Sequence, residues 1–285
     1  METVVCPLCS DRNFKILFRD FGYDHREYSI VCCSSCSFSY LNPQPTALEL
    51  EKIYETYYGE TSESQETERH LHFRRPVFEE LVSFINSRRG SDSTLVDIGC
   101  GNGDFISIAR EHGWNVSGAE ISGPAVEYGV SKRGLNILQS SLIEFPFESA
   151  KFEVATILDV LEHLPNPKST LKEIYRVLKP GGLLIARVPN TPFQLVKAKI
   201  QRLRHGKKFT TMATPLHLNH FNFESLSRMI VEAGFKIETV KPATADGTGL
   251  QGFSKRLYMA LSTFVWKATN RQIGNILFLA ATKTS

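Results

Sequence analysis

"LVDIGCGNGDFISIAR", residues 95–110, places three glycines, Gly99, Gly101 and Gly103, between a short apolar run and a segment with helical spacing. Strand, glycine turn and helix together form the unit from which ligand-binding α/β sheets are built. Glycine lets the backbone approach a ligand closely, and the helix N-terminus presents N–H groups to it. The alternation continues on both sides of this unit. "TLVDIG", "NVSGAE", "NIL", "FEVATIL", "GLLIARV" and "FKIETV" read as successive strands, and "NILFLAATK" at 275–283 as a further buried strand. The pattern predicts an α/β fold, a parallel sheet with helices on both faces, whose ligands lie beyond the carboxyl ends of the strands.

Glu120 closes the second of these strands, 19 positions after Gly101, where an acidic side chain accepts hydrogen bonds from ribose hydroxyls. Dinucleotides, nucleotides and S-adenosylmethionine all bind at such turns. A pyrophosphate site wants G-x-G-x-x-G, but here Asp104 stands at the final glycine position and would face the phosphates with negative charge. S-adenosylmethionine brings an ammonium and a sulfonium, for which Asp97 is a favourable neighbour.

The chain has 285 residues, 42% hydrophobic and 22% charged, enough to bury the core of one large or two modest domains. A formal net charge of +3 is too mild for a nucleic-acid coat, so nucleic acid is an unfavoured partner. "METVVCPLCSDRNFK" has no basic region followed by an apolar one, and no stretch is apolar for long enough to span a bilayer. A cytoplasmic protein is expected.

Five of the six cysteines fall in the first 36 residues, as "CPLC" and "CCSSC". Cys-x2-Cys, 23 residues and Cys-x2-Cys again let four thiolates converge on one zinc ion. Cys6, Cys9, Cys33 and Cys36 are the expected ligands, with Cys32 an alternative to Cys33; reduced thiols or a disulfide pair are the plainer readings. "FKILFR" and "EYSIVC" alternate as strands of a small ribbon. The expected organisation is a zinc ribbon at 1–45, a helical connector at 46–90 and a cofactor-binding domain at 91–285. In the connector, Thr46 and Glu49 have capping-box spacing for a helix to about residue 57, and a second helix runs from about 69 to 88. Tyr57 and Tyr58 either close over the cofactor or pack.

Residues 94–241 resemble the class I S-adenosylmethionine-dependent methyltransferases. "VDIGCGNGDF" looks like their first motif, "GAEIS" their acidic second strand, and "FEVATILDVLEHLPNPKSTLKEIYRVLKPGGLLIARVPN" their fourth strand, helix and fifth strand. The resemblance implies that Gly99, Gly101 and Gly103 cradle the methionine part, Glu120 holds the ribose, and Ile121, Ser141 and Leu142 border the adenine. Cys100 is a small apolar filler in the loop. The two knuckles and "HLNHFNFESLSRMIVEAGF" at 217–235 further resemble a subgroup associated with sugar and polysaccharide biosynthesis.

Methyl transfer requires an acceptor aligned opposite the S–CH3 bond, and a hydroxyl acceptor must also lose a proton. "DVLEHLPNP" follows the fourth strand, which places Asp159, Glu162 and His163 near the reactive methyl group. His163 is the candidate base, because imidazole titrates near neutrality; packing is its structural alternative. Glu162 either orients it or pairs with the substrate. His217 and His220 form a second candidate pair, for acceptor-site hydrogen bonding rather than metal. Lys197, Lys199, Arg202, Arg204, Lys207 and Lys208 line an insertion at 195–209 that either attracts a phosphorylated acceptor or is a solvated helix face. Residues 254–271 read as a core or lid helix. Three functions follow: methyl transfer to a hydroxyl of a small or carrier-linked sugar, methyl transfer to RNA gripped by the ribbon, and noncatalytic cofactor binding.

Overall fold

The computed structural model describes residues 1–21, 26–50, 52–53, 64–90, 93–205, 216–243, 257–258, 260–262, 264–265 and 274–284. The two alternating segments near the N-terminus pair as antiparallel strands β1 (Phe14–Phe21) and β2 (Glu27–Cys33), and β3 (Ser39–Leu41) adds to β2. Thr46 and Glu49 form the expected capping box, each side chain bonding the other's backbone N–H, at the start of a helical turn. Helix α1 (Ser64–Asn86) begins earlier than its apolar stripe indicates. Its Phe78, Leu81, Val82 and Ile85 are buried in one cluster with Leu95, Phe105 and Ile185.

The strand–helix alternation then delivers β4 (Thr94–Ile98), α2 (Asp104–Glu111), β5 (Asn115–Glu120), α3 (Gly123–Arg133), β6 (Ile137–Gln139) and β7 (Phe152–Leu158). After a 3-10 turn at Leu161–His163 come α4 (Pro167–Val177), β8 (Leu178–Pro189), α5 (Thr191–His205), β9 (Asn219–His220), α6 (Phe223–Glu232), β10 (Phe235–Ala243) and β11 (Ile276–Lys283). The helix starts are capped by the residue types the sequence supplies. The side chains of Ser122, Asn166 and Asn222 each accept a first-turn N–H, which offsets orphan donors worth about 1 kcal/mol apiece.

The seven-stranded sheet has the order β10-β11-β8-β7-β4-β5-β6. Pairs β4–β5, β4–β7, β5–β6 and β7–β8 are parallel, as expected. At one edge the sheet departs from parallel, where β11 runs antiparallel to both β10 and β8. The chain re-enters the gap between these two strands in the reverse direction, a return that needs no crossover helix. Residues 276–281 are all buried there, which is why the segment is apolar without alternation.

A second sheet, β1-β2-β3-β9, joins the cysteine ribbon to the rest of the molecule. Ser39 pairs with His220 and Tyr40 with Asn219. Beneath this seam Cys6, Leu8, Phe38 and Tyr40 share a core cluster with Phe221, Leu226 and Met229. The ribbon therefore borders the C-terminal ends of the parallel strands, the edge where the candidate site lies.

Candidate functional site

Two sets of side chains meet at that edge. The first gathers around the turn from β4 to α2. Gly99, Gly101 and Gly103 all have left-handed φ, 72°, 53° and 79°. A Cβ at Gly99 would stand 2.6 Å from Val160 and one at Gly103 2.3 Å from Leu135, so both positions are filled from behind by packing. At Gly101 nothing lies within 4 Å, and this is the open face of the turn. Glu120 is buried at the end of β5. Its Oε2 accepts the Gly101 N–H at 2.8 Å, and Oε1 accepts those of Ile121 and Ser122 at 2.8 and 2.9 Å. A carboxylate offers about four acceptor positions, so one ribose hydroxyl finds an unused position and a second must share an oxygen.

Asp97 is 3% exposed and its Oδ1 accepts the Thr156 hydroxyl at 2.6 Å. Burial pushes its carboxyl up to about 7. Cys100 is a buried filler, its sulfur packed so closely on Gly118 that a Cβ there would come within 2.5 Å. Ile121 and Ser141 are exposed beside the open face, whereas Leu142 turns into the core cluster with Ala119 and Phe145. Asp104 does not face the turn as expected. Its carboxylate pairs with Arg133 Nη1 at 2.5 Å, because α3 brings that guanidinium across the start of α2. The mismatch with a pyrophosphate site therefore rests on the glycine spacing alone.

The second set follows β7. Asp159 has a left-handed φ of 58°; its Oδ2 accepts from Arg74 Nη2 at 2.9 Å and its Oδ1 lies 3.5 Å from Arg187 Nε. Glu162 is 2% exposed, and burial, reinforced by Asp159, holds its carboxyl well above the usual range. His163 Nδ1 lies 2.9 Å from the Leu216 carbonyl. A carbonyl can only accept, so Nδ1 carries the proton and Nε2 the lone pair. Glu162 does not orient this ring by a hydrogen bond, since Oε1 stands 3.9 Å from Nε2; the Leu216 carbonyl does so instead.

His217 joins this group, its ring centroid 4.8 Å from that of His163. Burial lowers His163 below 6.5 and His217 to about 3, so both are neutral at pH 7. The expected His217–His220 pair is not what assembles. His220 is 4% exposed within β9, fixed by pairing with Ser39, and stands outside the Glu162–His163–His217 cluster. Asn219 ties the segments together, its Nδ2 donating to the carbonyls of Leu161 at 3.0 Å and Leu164 at 2.7 Å. Sequence reasoning passed over Arg74, Arg187 and Asn219. Only Arg187 carried a local signal, as a charge inside the apolar strand "GLLIARV".

In the ribbon, the sulfurs of Cys6 and Cys36 are 3.5 Å apart, as are those of Cys9 and Cys33, and all four lie within 4.8 Å of one another. Tetrahedral ligands about 2.3 Å from one ion stand about 3.8 Å apart, so the donor set fits a metal centre. Cys32 stands outside it, with its thiol directed to the Cys33 carbonyl, which decides between the two neighbours. On α5, Arg202 donates to the Arg19 carbonyl and lies over the Phe18 ring, so one of the basic residues fastens helix to ribbon. Tyr57, Tyr58, Lys207, Lys208 and most of 254–271 lie outside the described residues. Within that last segment Leu257, Leu261 and Phe264 are exposed rather than core. No helix among the described residues is long and apolar enough to cross a membrane.

The family described as "Methyltransferase domain" matches residues 70–240, more than half of the chain. Demethylmenaquinone methyltransferase from Staphylococcus saprophyticus is 29% identical over 197 residues, covering 62% of this chain and 82% of that protein. Its counterpart from Staphylococcus aureus strain JH9 is 30% identical over 188 residues, covering 59% and 76%. A SAM-dependent methyltransferase structure from Thermotoga maritima superposes with a TM-score of 0.56 at 20% identity, covering 82% of this chain and all of that one. A structure from Bacillus halodurans described as a methyltransferase gives 0.51 at 18%, covering 72% and 98%. At these identities the superpositions speak to the fold, and the family match to kinship. The chain belongs to the class I S-adenosylmethionine-dependent methyltransferases.

Proposed function

We propose that this methyltransferase moves a methyl group from S-adenosylmethionine to a hydroxyl of a small-molecule or carrier-linked sugar. The observation carrying this reading is the orientation of His163, whose Nδ1–H is committed to Leu216 so that the Nε2 lone pair is the basic position. The cofactor supplies an activated methyl on a sulfonium. Around it, Gly99, Gly101 and Gly103 cradle the methionine part, Glu120 holds the ribose, Asp97 meets the ammonium, and Asp159, fixed by Arg74 and Arg187, closes the site near the reacting centre. His163 receives the hydroxyl proton; its depressed basicity keeps it unprotonated at neutral pH. A phosphorylated acceptor is consistent with the lysines and arginines of α5. We also assign one structural zinc to Cys6, Cys9, Cys33 and Cys36, whose spacing and convergence support it.

A second reading, transfer to an acceptor like demethylmenaquinone, is favoured by the 29–30% identity to enzymes of that name. The test is methyl transfer from labelled S-adenosylmethionine to nucleotide sugars, carrier-linked sugars and demethylmenaquinone in parallel. An O-methylated sugar supports the first reading; label only in the quinone replaces it with the second.

A further inference from the structure

We propose that Glu162, His163 and His217 form a second metal site, for one small divalent cation such as Mn2+, on the acceptor side of the methyl-transfer site. This deepens the hydroxyl-transfer reading and rests on it only for the purpose of the ion, not for the ion's place.

The donor atoms come from two segments but lie within 4.8 Å of one another, and Glu162 Oε1 is 3.9 Å from His163 Nε2. Ligands about 2.1 Å from a shared ion stand roughly 3–4 Å apart, so the group needs only a slight contraction to close on a cation. Two imidazoles and one carboxylate suit a first-row divalent ion better than calcium, which prefers a larger all-oxygen shell.

Three further features point the same way. Glu162 is 2% exposed, yet its Oε2 has no hydrogen-bond partner. A buried carboxyl oxygen left without a donor is costly, and a cation removes that cost. His163 already makes the outer contact that metal-binding histidines need, Nδ1–H to a backbone carbonyl, which presents Nε2 to the ion. His163 is partly exposed, leaving one side open to an acceptor. The guanidinium of Arg187 also acts on Glu162 electrostatically, but its Nε lies 3.5 Å from Asp159, a carboxylate it shares with Arg74, and Glu162 Oε2 still has no donor.

A cation here gives the buried carboxylate its counter-charge. It also polarises a hydroxyl placed beside it and makes it more acidic, so that the proton passes to solvent in the loaded protein, where His163 is a ligand, and to His163 without the ion.

The test uses the full chain with its ribbon zinc retained, titrated with MnCl2 and followed by the loss of the free Mn2+ electron-spin resonance signal. The wild type should bind one Mn2+ per chain. Glu162→Gln and His217→Ala should each weaken binding at least tenfold while zinc content and S-adenosylhomocysteine affinity stay unchanged, which shows the variants to be folded. No Mn2+ bound by the wild type, or equal binding by both variants, overturns the site and leaves hydroxyl transfer standing. Mn2+ bound as expected with no sugar hydroxyl methylated sustains the site and removes the hydroxyl-transfer reading instead.

Discussion

The four cysteines of the ribbon and the Glu162–His163–His217 group are both tight clusters of ligating side chains, built in opposite ways. Each cysteine pair sits two residues apart in one turn, so half of the cluster is assembled wherever the turn forms. Glu162 and His163 share a turn after β7, but His217 arrives from a segment more than 50 residues later, with the Leu216 carbonyl and the Asn219 side chain as the joints. Local clusters are written in the sequence, whereas clusters made by topology appear only when the chain is folded. The two are also connected. The ribbon's β3 pairs with β9, two residues beyond His217, so damage to the ribbon should travel to the histidine segment, and damage to the histidines should not travel back.

Removing the ribbon metal should have the largest effect, since binding of structural zinc to small domains is worth about 10–16 kcal/mol and is folding free energy. Metal analysis should find one zinc per chain. Chelation, or Cys36→Ser, should release it and raise amide hydrogen exchange across 27–41 and 217–221 together. Rapid exchange confined to the ribbon would break the link between the clusters, and a metal-free wild type with reduced cysteines would remove the zinc assignment.

Next in size is His163→Ala. Turnover should fall by about a hundredfold or more while affinity for S-adenosylhomocysteine changes little. In the cation-depleted wild type at saturating S-adenosylmethionine the rate should be flat through neutrality and fall only on the acid side of the ordinary imidazole range, because burial lowers the pKa of His163 and the base works unprotonated. His220→Ala sharpens the contrast, since His220 lies outside the cluster. If it abolishes transfer while His163→Ala is active, the base has been placed on the wrong segment.

The smallest effect belongs to Asp97. Its carboxyl titrates at about 7 in the free protein and must be charged to pair with the cofactor ammonium. Affinity should therefore weaken as pH falls below 7, by roughly tenfold per unit at most, and level off above it. Calorimetry between about pH 8 and pH 6 reads this slope, and Asp97→Asn should flatten it.

Most of the sheet was legible because parallel strands buried on both faces announce themselves as apolar runs between helical spacings, and the glycine turn with Glu120 identifies the cofactor edge from residues close in sequence. The direction of β11 was not legible, because an apolar run carries no sign of which way its neighbours point. Nor was the partner of Asp104, since Arg133 reaches it from the far end of the next helix. The group around Asp159 draws Arg74 from α1 and Arg187 from β8, contacts that no spacing rule encodes. His220 misled for a related reason. Three-residue spacing suggests a shared face on a helix, but here the residues lead into a strand, where backbone pairing with Ser39 carries His220 away.

Calorimetric titration of S-adenosylhomocysteine into the wild type and Glu120→Ala, with NAD as a control ligand, tests the cofactor half most directly. The wild type should bind the nucleoside at one site, NAD should give no heat of binding, and Glu120→Ala should lose about 1.5–3 kcal/mol, the range for hydrogen bonds to a charged group. NAD binding by the wild type, or undiminished affinity in Glu120→Ala, would contradict the account.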